Sequence, residues 1–204
     1  MSDSTSIALV TGGNRGIGLA IARSLQSEGH RVVITYRSGT PPEGFDAVQM
    51  DVTDGQSVDY AFAKIENEIG QPEIIVANAG IAHRVPLDQM TDAKWDHTFD
   101  IDLKGIFRVV RPALAGMKRR KKGAIVALSS IMGVAYGWDE HVHYSAAKSG
   151  VVGLVRGLAV ELAKDGIRVN GIAPGYIRTA QLLSKEHSLG PEAAEKAGEF
   201  IPMG

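Results

Sequence analysis

Tyr144 and Lys148 stand four residues apart in His143-Tyr144-Ser145-Ala146-Ala147-Lys148-Ser149-Gly150. On a helix that spacing stacks the two side chains on one face. An ammonium beside a phenol favours the phenolate, so the pair is expected to bring the tyrosine from a pKa of about 10 toward the range of an acid/base catalyst. Upstream, Ser129-Ser130 closes an apolar run, where a hydroxyl could share a substrate oxygen with the phenol. Alone, a Tyr–Lys pair at this spacing is an ordinary solvated helix face; its weight comes from the elements around it.

Ile7-Ala8-Leu9-Val10 is a continuous apolar run, the mark of a strand buried on both faces of a parallel sheet. It leads into Thr11-Gly12-Gly13-Asn14-Arg15-Gly16-Ile17-Gly18 and then a helical pattern ending near Gly29. Strand, glycine-rich turn and helix together form the context of a dinucleotide-phosphate site: glycines admit the pyrophosphate and the helix start offers free N–H groups. Gly12, Asn14, Arg15, Gly16, Ile17 and Gly18 are the candidates there. The second strand, Arg31 to Arg37, ends on a cation where a ribose 2′-hydroxyl would need a carboxylate. Arg37 and Arg15 therefore predict a 2′-phosphate, hence NADP(H) over NAD(H).

Val48-Gln49-Met50 reads as a third strand ending at Asp51-Val52, with a helix following from about Gly55 to Ile69. Glu73 to Ala77 is the fourth strand, closing on Asn78-Ala79-Gly80, and Thr98 to Arg120 reads as one long helix containing Asp102. The run Lys118-Arg119-Arg120-Lys121-Lys122 complements a helix C-terminus, with docking of an acidic carrier protein as the alternative. Ala124 to Leu128 delivers the serines to the carboxyl edge of the sheet, the edge at which open α/β sheets bind ligands. The Tyr144 helix runs to about Lys164, Ile167–Ile172 is a sixth strand, and Pro174-Gly175 opens the next loop. His141 and His143 lack a third ligand at usable spacing and read as substrate-loop or surface residues, so no metal site is expected. The β/α alternation predicts a doubly wound parallel sheet, the Rossmann type. Residues 1–204 read as a single domain, with a polar, helical, mobile flap at about 180–200.

Net charge −1 provides no global field for nucleic acid or an anionic membrane. Hydrophobic residues at 44% and charged residues at 22% are ordinary for a globular domain, and zero cysteine excludes disulfides and thiolate metal sites. Neither a signal peptide nor a membrane span is visible, which suggests a cytoplasmic protein.

In this order the segments resemble the short-chain dehydrogenase/reductase family: Thr11-Gly12-x-x-x-Gly16-x-Gly18, Asn78-Ala79-Gly80, a serine ahead of Tyr144-x-x-x-Lys148, and Pro174-Gly175. The resemblance implies hydride transfer between a nicotinamide and a carbonyl or secondary alcohol. Tyr144 would donate the proton, Ser130 (or Ser129) hold the substrate oxygen, and Lys148 bind the nicotinamide ribose. Asp51 and Val52 would meet adenine, and Ile177 and Thr179 the carboxamide side. Asp102-Leu103-Lys104-Gly105 carries an aspartate where the family usually has an asparagine of the proton relay. Ser130 stands fourteen residues before Tyr144, one more than usual for the subgroup it most resembles.

That subgroup is the 3-oxoacyl-(acyl carrier protein) reductases, on Thr11–Gly18, Asp51-Val52-Thr53-Asp54, Pro174-Gly175-Tyr176-Ile177 and Phe200-Ile201-Pro202. It implies NADPH, a 3-oxoacyl thioester, a role in fatty acid biosynthesis, a carrier-protein partner and a homotetramer or dimer. Reduction of small ketones and secondary alcohols is an alternative, and a non-catalytic dinucleotide binder another. Family members continue through a further helix and strand, so the sheet is expected to lack its C-terminal strand and expose an edge.

Overall fold

Six apolar runs form six parallel strands in the order β3-β2-β1-β4-β5-β6. The computed structural model describes residues 5–199 and 201, so Phe200 and Pro202 of the resemblance lie outside the described residues. The strands are β1 (Ile7–Thr11), β2 (Arg31–Tyr36), β3 (Asp46–Gln49), β4 (Ile74–Ala77), β5 (Gly123–Leu128) and β6 (Ile167–Ile172). The third strand starts two residues earlier than its apolar pattern suggests, because Asp46 and Ala47 already pair with Val33 and Ile34. Side chains alternate between faces along each strand. Ala8, Val10, Val32, Ile34 and Val76 pack on α1 (Gly16–Ser27). Leu9, Val33, Ile75 and Ile125 pack against α2 (Gly55–Glu68), α4 (Gly105–Arg120) and α6 (Val142–Leu162).

The expected single helix from Thr98 to Arg120 is corrected. α3 (Asp92–Phe99) starts earlier, where the Thr91 hydroxyl accepts the Lys94 N–H at 3.3 Å, and a π-helical turn at Asp100–Lys104 joins it to α4. A π turn inserts one residue per turn and re-aims the side chains around it. Here it sends Ile101 and Asp102 into the interior. The helix expected over the C-terminal segment is also corrected: residues 180–189 are mostly turns, and only Gly190–Lys196 (α7) is α-helical. That stretch has too few apolar residues to bury a helical face, and Gly190 sits at φ +77.

The basic run lies before β5, at the amino edge of the sheet, opposite the edge that carries the serines. Lys121 and Lys118 reach Asp165 at 2.7 and 3.7 Å, Lys122 reaches Glu73 at 2.9 Å, and Arg120 donates to Gln71. These contacts favour the helix-terminus reading of the run over docking. Among the described residues β6 pairs only with β5, and no helix is long and apolar enough to cross a membrane.

Candidate active site

One cleft of about 590 Å³ follows the carboxyl edge of the sheet. Of the residues singled out in the sequence, Gly12, Asn14, Arg15, Gly16, Ile17 and Arg37 line its first half, with Asp51, Val52, Asn78, Ala79 and Gly80 beside them. Ser129, Ser130, Tyr144, Lys148, Pro174, Gly175, Ile177 and Thr179 line the other end. Gly18 and Asp102 are not among its lining residues.

Gly18 is buried in the first turn of α1, where a Cβ would come within 2.3 Å of the Gly12 carbonyl oxygen and 2.5 Å of Asn78 Nδ2. It therefore lets the helix lie close against the loop. Asn78 ties the same loop down: its Nδ2 donates to the Thr11 carbonyl at 2.9 Å, and Thr11 Oγ1 accepts the N–H groups of Asn78 and Ala79. Arg15, at the N-cap of α1, makes no side-chain cap, so the first N–H groups of the helix have no such partner. With Gly12 and Gly16 at φ +62 and +55, this end fits a dinucleotide pyrophosphate. Arg15 and Arg37 are exposed, and neither has an ion-pair partner among the described residues. Burial alone would raise the Asp51 carboxyl, but two hydrogen bonds from Thr53, with Arg37 and His97, hold it below the usual carboxylate range.

At the other end the two serines separate. Ser129 Oγ donates to the Lys148 carbonyl at 2.8 Å and is committed to α6. Ser130 caps the short helix α5 (Ile131–Val134), accepting the Met132 N–H at 3.2 Å with its hydroxyl at the cleft. α5 lies against α6 because Gly133 has no side chain: a Cβ there would stand 2.5 Å from the Lys148 carbonyl carbon. Ser149 Oγ, donating to the Gly133 carbonyl at 2.9 Å, completes the seam.

Tyr144 and Lys148 share a face of α6, with Nζ 5.6 Å from the centre of the phenol ring. Lys148 is 4% exposed; its ammonium donates to the Leu128 carbonyl at 3.0 Å and lies 3.5 Å from Asp102 Oδ1. Asp102 is fully buried, accepts the Ile81 N–H at 3.0 Å through the same oxygen, and has no partner for Oδ2. Burial pushes its carboxyl up, opposed by Lys148 and the Ile81 N–H. Gly80 admits this arrangement, since a Cβ there would fall 2.5 Å from Asp102 Oδ1.

The surface alternative for His141 and His143 is corrected: both are buried, at 0% and 1% exposure. The His141 ring stacks on Trp138 at 4.2 Å, with Nδ1 2.7 Å from the Asp139 carbonyl and Nε2 3.4 Å from that of His187. His83, His97 and His187, which the sequence reading passed over, line the cleft, and the Nδ1 atoms of His83 and His187 are 3.1 Å apart. His83 stands three residues beyond Gly80. Nothing local marks it, because its partner is a hundred residues away.

A parallel sheet with a glycine turn at β1, and a serine, tyrosine and lysine gathered at its carboxyl edge, defines a dinucleotide-fold oxidoreductase. Residues 6–189 match the family model described as short chain dehydrogenase. The chain belongs to that family. It is 40% identical to 3-oxoacyl-[acyl-carrier-protein] reductase MabA of Mycobacterium avium, over 95% of this chain and 74% of that protein. It is 41% identical to acetoacetyl-CoA reductase of Synechocystis, over 97% of this chain and 80% of that protein. Among solved structures, gluconate 5-dehydrogenase of Burkholderia cenocepacia, in complex with NADP and tartrate, is similar at TM-score 0.78 and 34% identity. That similarity covers 84% of this chain and 71% of that one.

Proposed function

We propose that this chain is an NADPH-dependent reductase that converts the keto group of a 3-oxoacyl thioester to the 3-hydroxyacyl thioester. The observation that carries the reading is the convergence of Ser130, Tyr144 and Lys148 on one cleft whose far end is built for a dinucleotide. Two relatives are named as reductases of such thioesters. NADPH, when bound, supplies the hydride; the protein's part is to orient the ketone and place a proton. Ser130 donates a hydrogen bond to the carbonyl oxygen, and Tyr144 delivers a proton to that oxygen as it gains negative charge. Lys148 sits below the phenol and would hold the nicotinamide ribose. Arg15 and Arg37, without an ion-pair partner among the described residues, would receive the 2′-phosphate, and Asp51 and Val52 the adenine. Ile177 and Thr179 would flank the carboxamide. In this reading residues 180–199 belong to a flap over the substrate, the domain works as a cytoplasmic homotetramer or dimer, and an acyl carrier protein is the macromolecular partner.

A second reading, reduction of a small polar ketone, is favoured by a histidine pair: His83 and His187, with Nδ1 atoms 3.1 Å apart, line the cleft, a polar surface for an acyl chain. The test is NADPH oxidation with acetoacetyl-coenzyme A and with a panel of short polar ketones, alongside direct NADPH binding on the same sample. Turnover of the thioester at higher kcat/KM supports the first reading, and preference for the polar ketones the second. Binding with no turnover on either would leave a dinucleotide-binding protein.

A further inference from the structure

A buried carboxylate next to the cation of Lys148, beneath the phenol, changes what that cation can do. Seen from the Tyr144 ring, 5.6 Å from Nζ, Lys148 is accompanied by a carboxylate oxygen only 3.5 Å from the same nitrogen. Neither partner is in water, with Asp102 at 0% and Lys148 at 4% exposure, so solvent screens their fields little. The spacing is set by backbone: the Ile81 N–H holds Oδ1, the Leu128 carbonyl holds Nζ, and Gly80 leaves the room between them. Among the described residues Lys148 has no other ion-pair partner. Among the described residues, α3 contributes His97 to this centre, the loop after β4 an N–H, β5 a carbonyl, and the loop before α6 the His141 ring, 6.3 Å from that of Tyr144.

We propose that Asp102 is a charge-setting positioning residue: paired with Lys148, it cancels most of the ammonium's field at Tyr144, so the phenol keeps its proton to higher pH. The proposal rests on the hydride-transfer reading above and deepens it. A tyrosine that stays protonated is ready to donate to a ketone gaining a hydride, so Asp102 extends reduction to higher pH. An amide in the same place could still accept from Ile81 but would carry no charge.

The experiment is a phenolate absorbance titration of the cofactor-free protein. Tyr144 is isolated as the difference between chains with and without Tyr144→Phe, in the parent and in the Asp102→Asn background. The Tyr144 midpoint is expected to fall by about one pH unit or more on Asp102→Asn, the size of shift that a nearby charge produces. The basic limb of the reductive kcat/KM profile should move the same way. A midpoint unchanged within a few tenths of a unit overturns the proposal. Should Asp102→Asn fail to fold, carbon-13 NMR of the aspartate carboxyls in the parent chain decides. Asp102 must be ionised where Tyr144 titrates, and a neutral carboxyl there overturns the proposal. Neither titration needs turnover. A shifted midpoint with no ketone reduced would therefore sink the reductase reading while leaving the charge-setting role standing.

Discussion

The two ends of the cleft are made of different materials. The dinucleotide end is chiefly backbone: a glycine turn, an uncapped helix start, and a loop pinned by Asn78 and Thr11. The substrate end is chiefly side chain, with Ser130, Tyr144, His83 and His187 brought from separate loops and helices. Backbone geometry tolerates one ligand shape and resists change. Side-chain walls can be exchanged without refolding, so specificity is expected to reside at the substrate end and coenzyme choice at the other.

Substitutions at the two ends should therefore fail in different ways. The largest effect is expected at the junction. Tyr144→Phe should lower kcat/KM by roughly a thousandfold, as loss of a general acid does, while NADPH titration stays near the parent value. Loss of binding in that variant would place the tyrosine in the dinucleotide end instead. Gly18→Ala forces a Cβ onto the Gly12 carbonyl and should cost about 2 kcal/mol in denaturant unfolding, weakening NADPH binding with it. Unchanged stability would mean that the backbone end is softer than the contacts imply. Arg37→Asp should cut the preference for NADPH over NADH by about ten- to a hundredfold, the worth of a charge-assisted contact. An unaltered ratio would remove Arg37 from the coenzyme reading.

Exchange of His83 and His187 together for leucine should raise KM for polar ketones by about threefold to tenfold and leave acetoacetyl-coenzyme A little affected. Equal effects on both would erase the distinction drawn for the substrate end. The smallest effect concerns pH. His143 and His83 are held below the ordinary imidazole range, first by burial and then by His141 and His187 respectively. Their folded pKa values lie below the unfolded ones. The stability they carry is complete above about pH 6.5 and is lost as pH falls through the folded values. The melting temperature should drop by a few degrees between pH 7 and pH 5, and by less in His143→Phe.

The sequence was informative where one local segment carries the whole geometry. Thr11 to Gly18 reads as a phosphate turn because glycine spacing, strand and helix are contiguous, and the alternation of apolar runs was enough for six parallel strands. It was uninformative where a contact joins distant segments. His141 and His143 read as substrate-loop or surface residues, and their burial shows only once the chain is folded, with Trp138 stacked on His141. The Asp102 departure was visible, but its closeness to Lys148 depends on the π turn, which no local pattern announces.

The strand order has a consequence in time. β1 can pair with β2 as soon as the first crossover is made, but its other neighbour, β4, arrives only after β2, β3 and α2 have been traversed. Such non-local parallel pairing must bear the loop-closure entropy before any contact rewards it, which makes it slow. The Asn78–Thr11 clasp forms only with that pairing. Dinucleotide binding should therefore appear late in refolding, behind the recovery of helical signal, and a stopped-flow comparison of the two would show the delay.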